Sequence, residues 1–161
     1  MKKRIVVYYS FEGNTKKAAE KIAEGLQSDI WRLKPVKEMP CHGVRKFIFG
    51  GMQATFGCSV PIQKIELDME QYDEIILGTP VWAGKCTPVV NQFLKEINDR
   101  EKITAVFTCS GGGDNGQCIA NLRKKRLSLK HTVALADCNN PLSKENDIKI
   151  MNFLEELKID E

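Results

Sequence analysis

The chain has 161 residues, 42% hydrophobic and 28% charged, which predicts one globular domain over residues 1–161. A net charge of +3 with 7% aromatics argues against nucleic-acid binding, and the one dense basic run, Arg123-Lys124-Lys125-Arg126, reads as a solvated helix end. No apolar run is long enough to span a membrane, and Ile5 to Tyr9 is too short for the core of a secretion signal, so a cytoplasmic protein is expected.

Arg4 to Tyr9 (RIVVYY) predicts a strand buried on both faces. Asn14 to Leu26 places Ala18, Ala19, Ile22, Ala23 and Leu26 at helical spacing. Asp29 to Leu33 reads as a short strand stopped by Pro35. Residues 36–65 mix Gly43, Gly50, Gly51, Gly57, Pro40 and Pro61 with Phe47, Ile48, Phe49 and Phe56. They predict a long irregular connection, with room for one short helix, that covers either the core or a ligand.

Glu74 to Gly78 is the third strand, and Thr87-Pro88 opens a helix with Thr as cap and Pro at its first position. That helix buries Val89, Val90, Phe93, Leu94 and Ile97. Ile103 to Thr108, then Gln117 to Leu127, give the fourth strand and its helix. Thr132 to Ala136 is the fifth strand. Ser143 to Leu157 is a last helix, with Ile148, Met151, Phe153, Leu154 and Leu157 on its buried side. Strands alternating with helices predict a parallel sheet covered on both faces.

Three loops leave the carboxyl ends of those strands, where open sheets of this kind bind ligands. Ser10-Phe11-Glu12-Gly13-Asn14-Thr15 runs straight into a helix, whose unpaired N–H groups and dipole attract an anion. The competing reading is that Ser10 or Asn14 merely caps the helix. The loop lacks the G-x-x-x-x-G-K-[ST] pattern, which argues against nucleoside triphosphate hydrolysis and for a monophosphate.

Thr79-Pro80-Val81-Trp82-Ala83-Gly84-Lys85-Cys86-Thr87 presents a tryptophan between a proline and a glycine, either as a stacking wall or as core. Lys85 either faces the bound ring or is a solvated charge. Cys109-Ser110-Gly111-Gly112-Gly113-Asp114-Asn115-Gly116 lets backbone approach a ligand, or is a plain surface turn. It also spells G-x-G-x-x-G, which on the fourth strand reads as a chance match. Together the loops predict a site for a flat ring with one phosphate, which is flavin mononucleotide (FMN).

The same three stretches, SFEGNT, GTPVWAGK and CSGGGDNG, resemble the FMN-binding loops of flavodoxins and flavodoxin-like proteins, and the resemblance runs along essentially the whole chain. It implies a three-layer α/β sandwich around a five-stranded parallel sheet of order 2-1-3-4-5, with non-covalent FMN. It places Ser10, Phe11, Glu12, Gly13, Asn14 and Thr15 at the phosphate. Thr79, Pro80, Val81, Trp82, Ala83 and Gly84 lie along the flavin, and Cys109, Ser110, Gly111, Gly112 and Gly113 at its other edge. Two features depart from the family. Glu12 stands where a hydroxyl or small polar residue is usual, and the chain is slightly basic where flavodoxins are commonly acidic.

The implied activity is electron transfer between redox partners. The alternative is an FMN-dependent NAD(P)H reductase acting on a quinone, nitro compound or similar small acceptor. A cofactor-free module of this fold is the third reading. No metal site is expected. No side chain reads as a catalytic acid or base; His42 and His131 read as surface or structural. Six cysteines (Cys41, Cys58, Cys86, Cys109, Cys118, Cys138) without a CxxC pair predict reduced thiols, and the three near the loops, Cys86, Cys109 and Cys118, read as small buried hydrophobes, with redox-active thiols the competing reading.

Overall fold

Every residue of Arg4–Tyr8 is buried, because this strand (β1) lies inside a sheet with helices on both faces. The computed structural model describes residues 2–37 and 58–160. The elements after β1 are α1 (Asn14–Leu26), β2 (Asp29–Arg32), β3 (Glu74–Trp82), β4 (Lys85–Cys86) and α2 (Pro88–Glu96). Then come β5 (Ile103–Ser110), α3 (Gly116–Arg123), β6 (His131–Ala136) and α4 (Asn146–Ile159). Short 3-10 turns precede β3, β5 and α4.

Five parallel strands run in the order β2-β1-β3-β5-β6, and two-residue β4 folds back antiparallel onto β3. With β4 set aside, this is the 2-1-3-4-5 order that the resemblance implied. Side chains alternate between two cores, as strand geometry requires. Ile5, Val7, Ile75, Leu77 and Val106 pack under α2 and α3, where Val89, Phe93, Cys118 and Leu122 are buried. Val6, Tyr8, Ile76, Ala105 and Phe107 pack under α1 and α4, against Ala19, Ile22, Ile150 and Phe153. Each fully buried Ile, Leu or Phe contributes about 1.5–3 kcal/mol relative to exposure.

A buried ion pair closes the amino end of the sheet. Arg4 Nε lies 2.6 Å from Glu74 Oε2, and Arg4 Nη2 donates to the Leu157 carbonyl at 2.8 Å. Glu74 also accepts from the Thr104 hydroxyl, so β1, β3, β5 and α4 meet at one polar node.

Several boundaries differ from expectation. β3 continues through Trp82, because the residues read as a loop pair with β4 and, as far as Pro80, with β5. β5 likewise runs to Ser110, taking in Cys109. The fourth helix starts at Asn146 after a 3-10 turn, and its buried side is Ile150, Phe153 and Leu157. Ile148 and Met151, expected inside, are 59% and 54% exposed. α3 ends at Arg123, short of Leu127. β2 ends at Arg32, before Pro35 as expected, and Pro35 forms an isolated β-bridge to Ile62. The expected short helix and His42 lie outside the described residues.

Candidate functional site

β1, β3 and β5 are neighbours, so their three carboxyl-end loops share one rim. The strand order reverses between β1 and β3, the point where open α/β sheets, flavodoxins among them, form their ligand crevice.

On that rim α1 begins without a side-chain cap. Its N-cap is Gly13, at φ 96°, and no acidic residue occupies the first turn. Capping by Ser10 or Asn14, the competing reading, therefore does not occur. The Ser10 hydroxyl instead accepts from Gly13 N at 3.2 Å, bracing the turn from below. The Asn14 carboxamide is turned aside, its Oδ1 accepting from Cys138 N at 3.3 Å. A Cβ on Gly13 would meet nothing within 4 Å, so glycine serves the left-handed backbone there and also leaves open space. Unpaired amides, a helix dipole and open space together suit an anion. Arg32 Nη2 donates to the Ser10 carbonyl at 3.2 Å and anchors the loop from β2. Glu12 is exposed.

The second loop is a tight hairpin. Ala83 (φ 48°) and Gly84 (φ 72°) form its two-residue turn, both left-handed, as such hairpins require. A Cβ on Gly84 would come within 2.1 Å of Gln117 Oε1, so Gln117 of α3 packs directly over the turn. Trp82 stands half-buried at the head of this hairpin. Its ring meets Phe11 edge to face, with centroids 5.6 Å apart, and Tyr9 at 6.3 Å. Trp82 thus rests on the core and also forms a wall beside the first loop.

The third loop leaves Gly111 and Gly112 with nothing within 4 Å of a built Cβ. Gly113 (φ 71°) turns the chain, its N–H donating to the Ser110 carbonyl. Roots of the second and third loops are joined in register at Pro80 and Cys109.

Not every expected residue reaches the rim surface. Thr79 is fully buried, its hydroxyl donating to the Pro80 carbonyl at 2.8 Å. Thr15 and Cys109 lie beneath the rim against each other. Burial pushes the Cys109 thiol up to about 12, against a lowering contact from Thr15. Burial likewise pushes Cys118 up to about 12 and raises Cys86. All three stay protonated at neutral pH and are poor nucleophiles, as small buried hydrophobes are.

A fourth loop, missed in the sequence, completes the rim. Asn140 Nδ2 donates to the Gly111 carbonyl at 2.7 Å, and Cys138 N reaches Asn14. The segment after β6 therefore straps the glycine turn to the start of α1. Its signal was present as Asn-Asn-Pro turn chemistry at a strand end. His131 sits at the opposite end of β6, between Glu156 and Asp160, away from this rim. A groove of about 670 Å³ between residues 64–70 and the end of α2 also opens at that opposite edge.

Fold and rim together define a flavodoxin-like α/β protein. The flavodoxin family model matches residues 51–152, and the chain belongs to that family. Among solved structures, a flavoprotein of Lactobacillus acidophilus in complex with FMN superposes with TM-score 0.68 at 23% identity, over 92% of this chain and 99% of that one. A Fusobacterium nucleatum flavodoxin bound to FMN gives 0.60 at 14% identity, over 99% of each chain. A curated relative, NAD(P)H dehydrogenase (quinone) of Methylocella silvestris, is 31% identical over 129 residues, or 73% of this chain. The chain spans about 60% of the length of the curated relatives it matches.

Proposed function

We propose that this chain binds FMN non-covalently at the described rim and carries electrons between redox partners, as a single cytoplasmic domain over residues 1–161. The observation that carries this is the uncapped start of α1 at Gly13, on the same rim as the Phe11–Trp82 pair. Bound FMN supplies one- and two-electron redox chemistry, which no side chain can. The amides of Asn14 and Thr15, at the open start of α1, hold its phosphate. Trp82 and Phe11 exclude water along the ring, and Gly111 to Gly113 meet its other edge. The five described cysteines are free, which agrees with a reducing compartment.

The second reading is an NAD(P)H-dependent reductase of a quinone or similar small acceptor. The name of the curated relatives favours it. Against it, no histidine of the described residues stands on the rim to manage protons. Mixing the FMN-loaded protein with NADH or NADPH without oxygen separates the two. A carrier keeps its yellow colour over minutes, whereas rapid bleaching makes the protein a reductase.

A further inference from the structure

Between Asn115 and Ala136 the chain carries five lysines and arginines, one histidine and no acidic residue. Taking those five from the total of 24 leaves 19 basic residues against 21 acidic ones, so the net positive charge resides in this stretch. Arg123, Lys124 and Arg126 are exposed, and among the described residues none of the three has an ion-pair partner. Lys125 lies beside them, its Nζ 3.1 Å from Asn91 Oδ1.

One basic residue at a helix end is explained by the helix dipole. Four in a row are not, and Arg126 adds a second observation. In the turn two residues beyond the Lys124 cap, its φ is 62°, in the left-handed region that favours glycine or asparagine. An arginine held there keeps a charge at a conformational cost, a pattern that marks functional positions.

We propose that the end of α3 is a docking surface for an acidic electron-transfer protein. This rests on the carrier reading above. α3 starts at Gly116, directly after the glycine turn, and Arg123 lies seven residues on. At about 1.5 Å per residue that is about 10 Å along the helix. An ordinary interface of about 800 Å² per partner is about 30 Å across, so one footprint covers both the basic cluster and the rim. Asp114 and Asp137 on the rim repel an acidic partner. The attraction is thus offset to the α3 side, and that asymmetry sets the docking orientation. The stretch contains no Phe, Tyr or Trp on which a nucleic-acid base could stack.

The test uses FMN-loaded protein and an acidic plant-type ferredoxin as probe, with basic cytochrome c for contrast, measured by calorimetry. Ferredoxin binds, cytochrome c does not, and raising salt from about 20 to about 200 mM weakens the complex. The variant Arg126→Gly weakens ferredoxin about threefold without lowering the urea unfolding midpoint, since glycine relieves the backbone. Adding Arg123→Gln and Lys124→Gln brings the loss to about tenfold or more. An unchanged ferredoxin affinity in the triple variant overturns the surface. So does tighter binding of mixed-sequence duplex DNA than of ferredoxin at about 150 mM salt. FMN absorbance recorded on the same samples separates the two readings: wild-type protein that holds no flavin sinks the carrier reading and the proposal with it, whereas unchanged ferredoxin affinity in a flavin-holding triple variant sinks the surface alone.

Discussion

The rings of Phe11 and Trp82 meet at right angles, 5.6 Å between centroids, although they come from two different loops. The contact joins the first loop to the hairpin, so for the FMN binding proposed above part of the ordering cost is already met by the fold. An edge-to-face pair adds about 0.5–1.5 kcal/mol beyond its buried area. The variant Phe11→Ala is expected to lose about 1 kcal/mol of that pairing in urea unfolding, and to bind FMN about fivefold more weakly in a fluorescence titration. Wild-type affinity in Phe11→Ala would reduce the pair to ordinary packing.

Glu12 brings a negative charge to a turn that suits an anion. At about 7 Å from a phosphate the repulsion is about 0.6 kcal/mol in water-like surroundings and about 2.4 kcal/mol at an effective dielectric of about 20. Charge-assisted hydrogen bonds from backbone amides, at about 1.5–3 kcal/mol each, outweigh it. Because Glu12 is exposed, the lower figure applies. The variant Glu12→Thr is expected to tighten FMN about threefold, most clearly at low salt. Equal affinities for the two proteins would remove Glu12 from the electrostatics of the turn.

Asn140 holds Gly111 through one hydrogen bond at 2.7 Å. Losing one such bond costs about 1 kcal/mol. Asn140→Ala also removes the cap its Oδ1 gives Leu142 N at 2.8 Å, so stability falls by about 1–2 kcal/mol, and FMN weakens about fivefold as the glycine turn loosens. A fall in stability with unchanged FMN affinity would make Asn140 a structural strap only.

Burial alone would raise the Glu74 carboxyl, but hydrogen bonds from Thr104 and Arg4, with the Arg4 charge, outweigh that and lower it. A carboxyl lowered by folding contributes stability above its unfolded value of about 4.3, and loses it as pH falls through the folded value. Replacing Glu74 by Gln strands a buried guanidinium and costs about 3–5 kcal/mol near pH 7. The gap to wild type should narrow below about pH 4, as Glu74 itself becomes protonated. Urea unfolding at pH 7 and near pH 3 measures it, and a gap that stays constant would contradict this account.

The helices were legible where chemistry repeats. Asn14–Leu26 was read to the residue from its alanines and Ile22, and Thr87-Pro88 marked the next helix start, with Thr87 Oγ1 accepting from Val90 N at 3.5 Å. The strand ends were not legible. Pro80 and Gly84 are ordinarily strand breakers, yet Pro80 pairs with Cys109, and the turn at Ala83 and Gly84 sends the chain back as β4. In α4 the apolar pattern runs nearly all round, so sequence alone placed Ile148 and Met151 on the wrong face. Neither strap of the rim was foreseen, because Asn140 to Gly111 and Asn14 to Cys138 join residues far apart in the chain.

The most direct test of the account is a visible absorption spectrum of the purified protein, repeated after FMN is added and the excess removed. The account predicts retained flavin with shifted bands and quenched fluorescence. A folded protein that retains none would contradict it and leave the rim a bare turn of a cofactor-free fold.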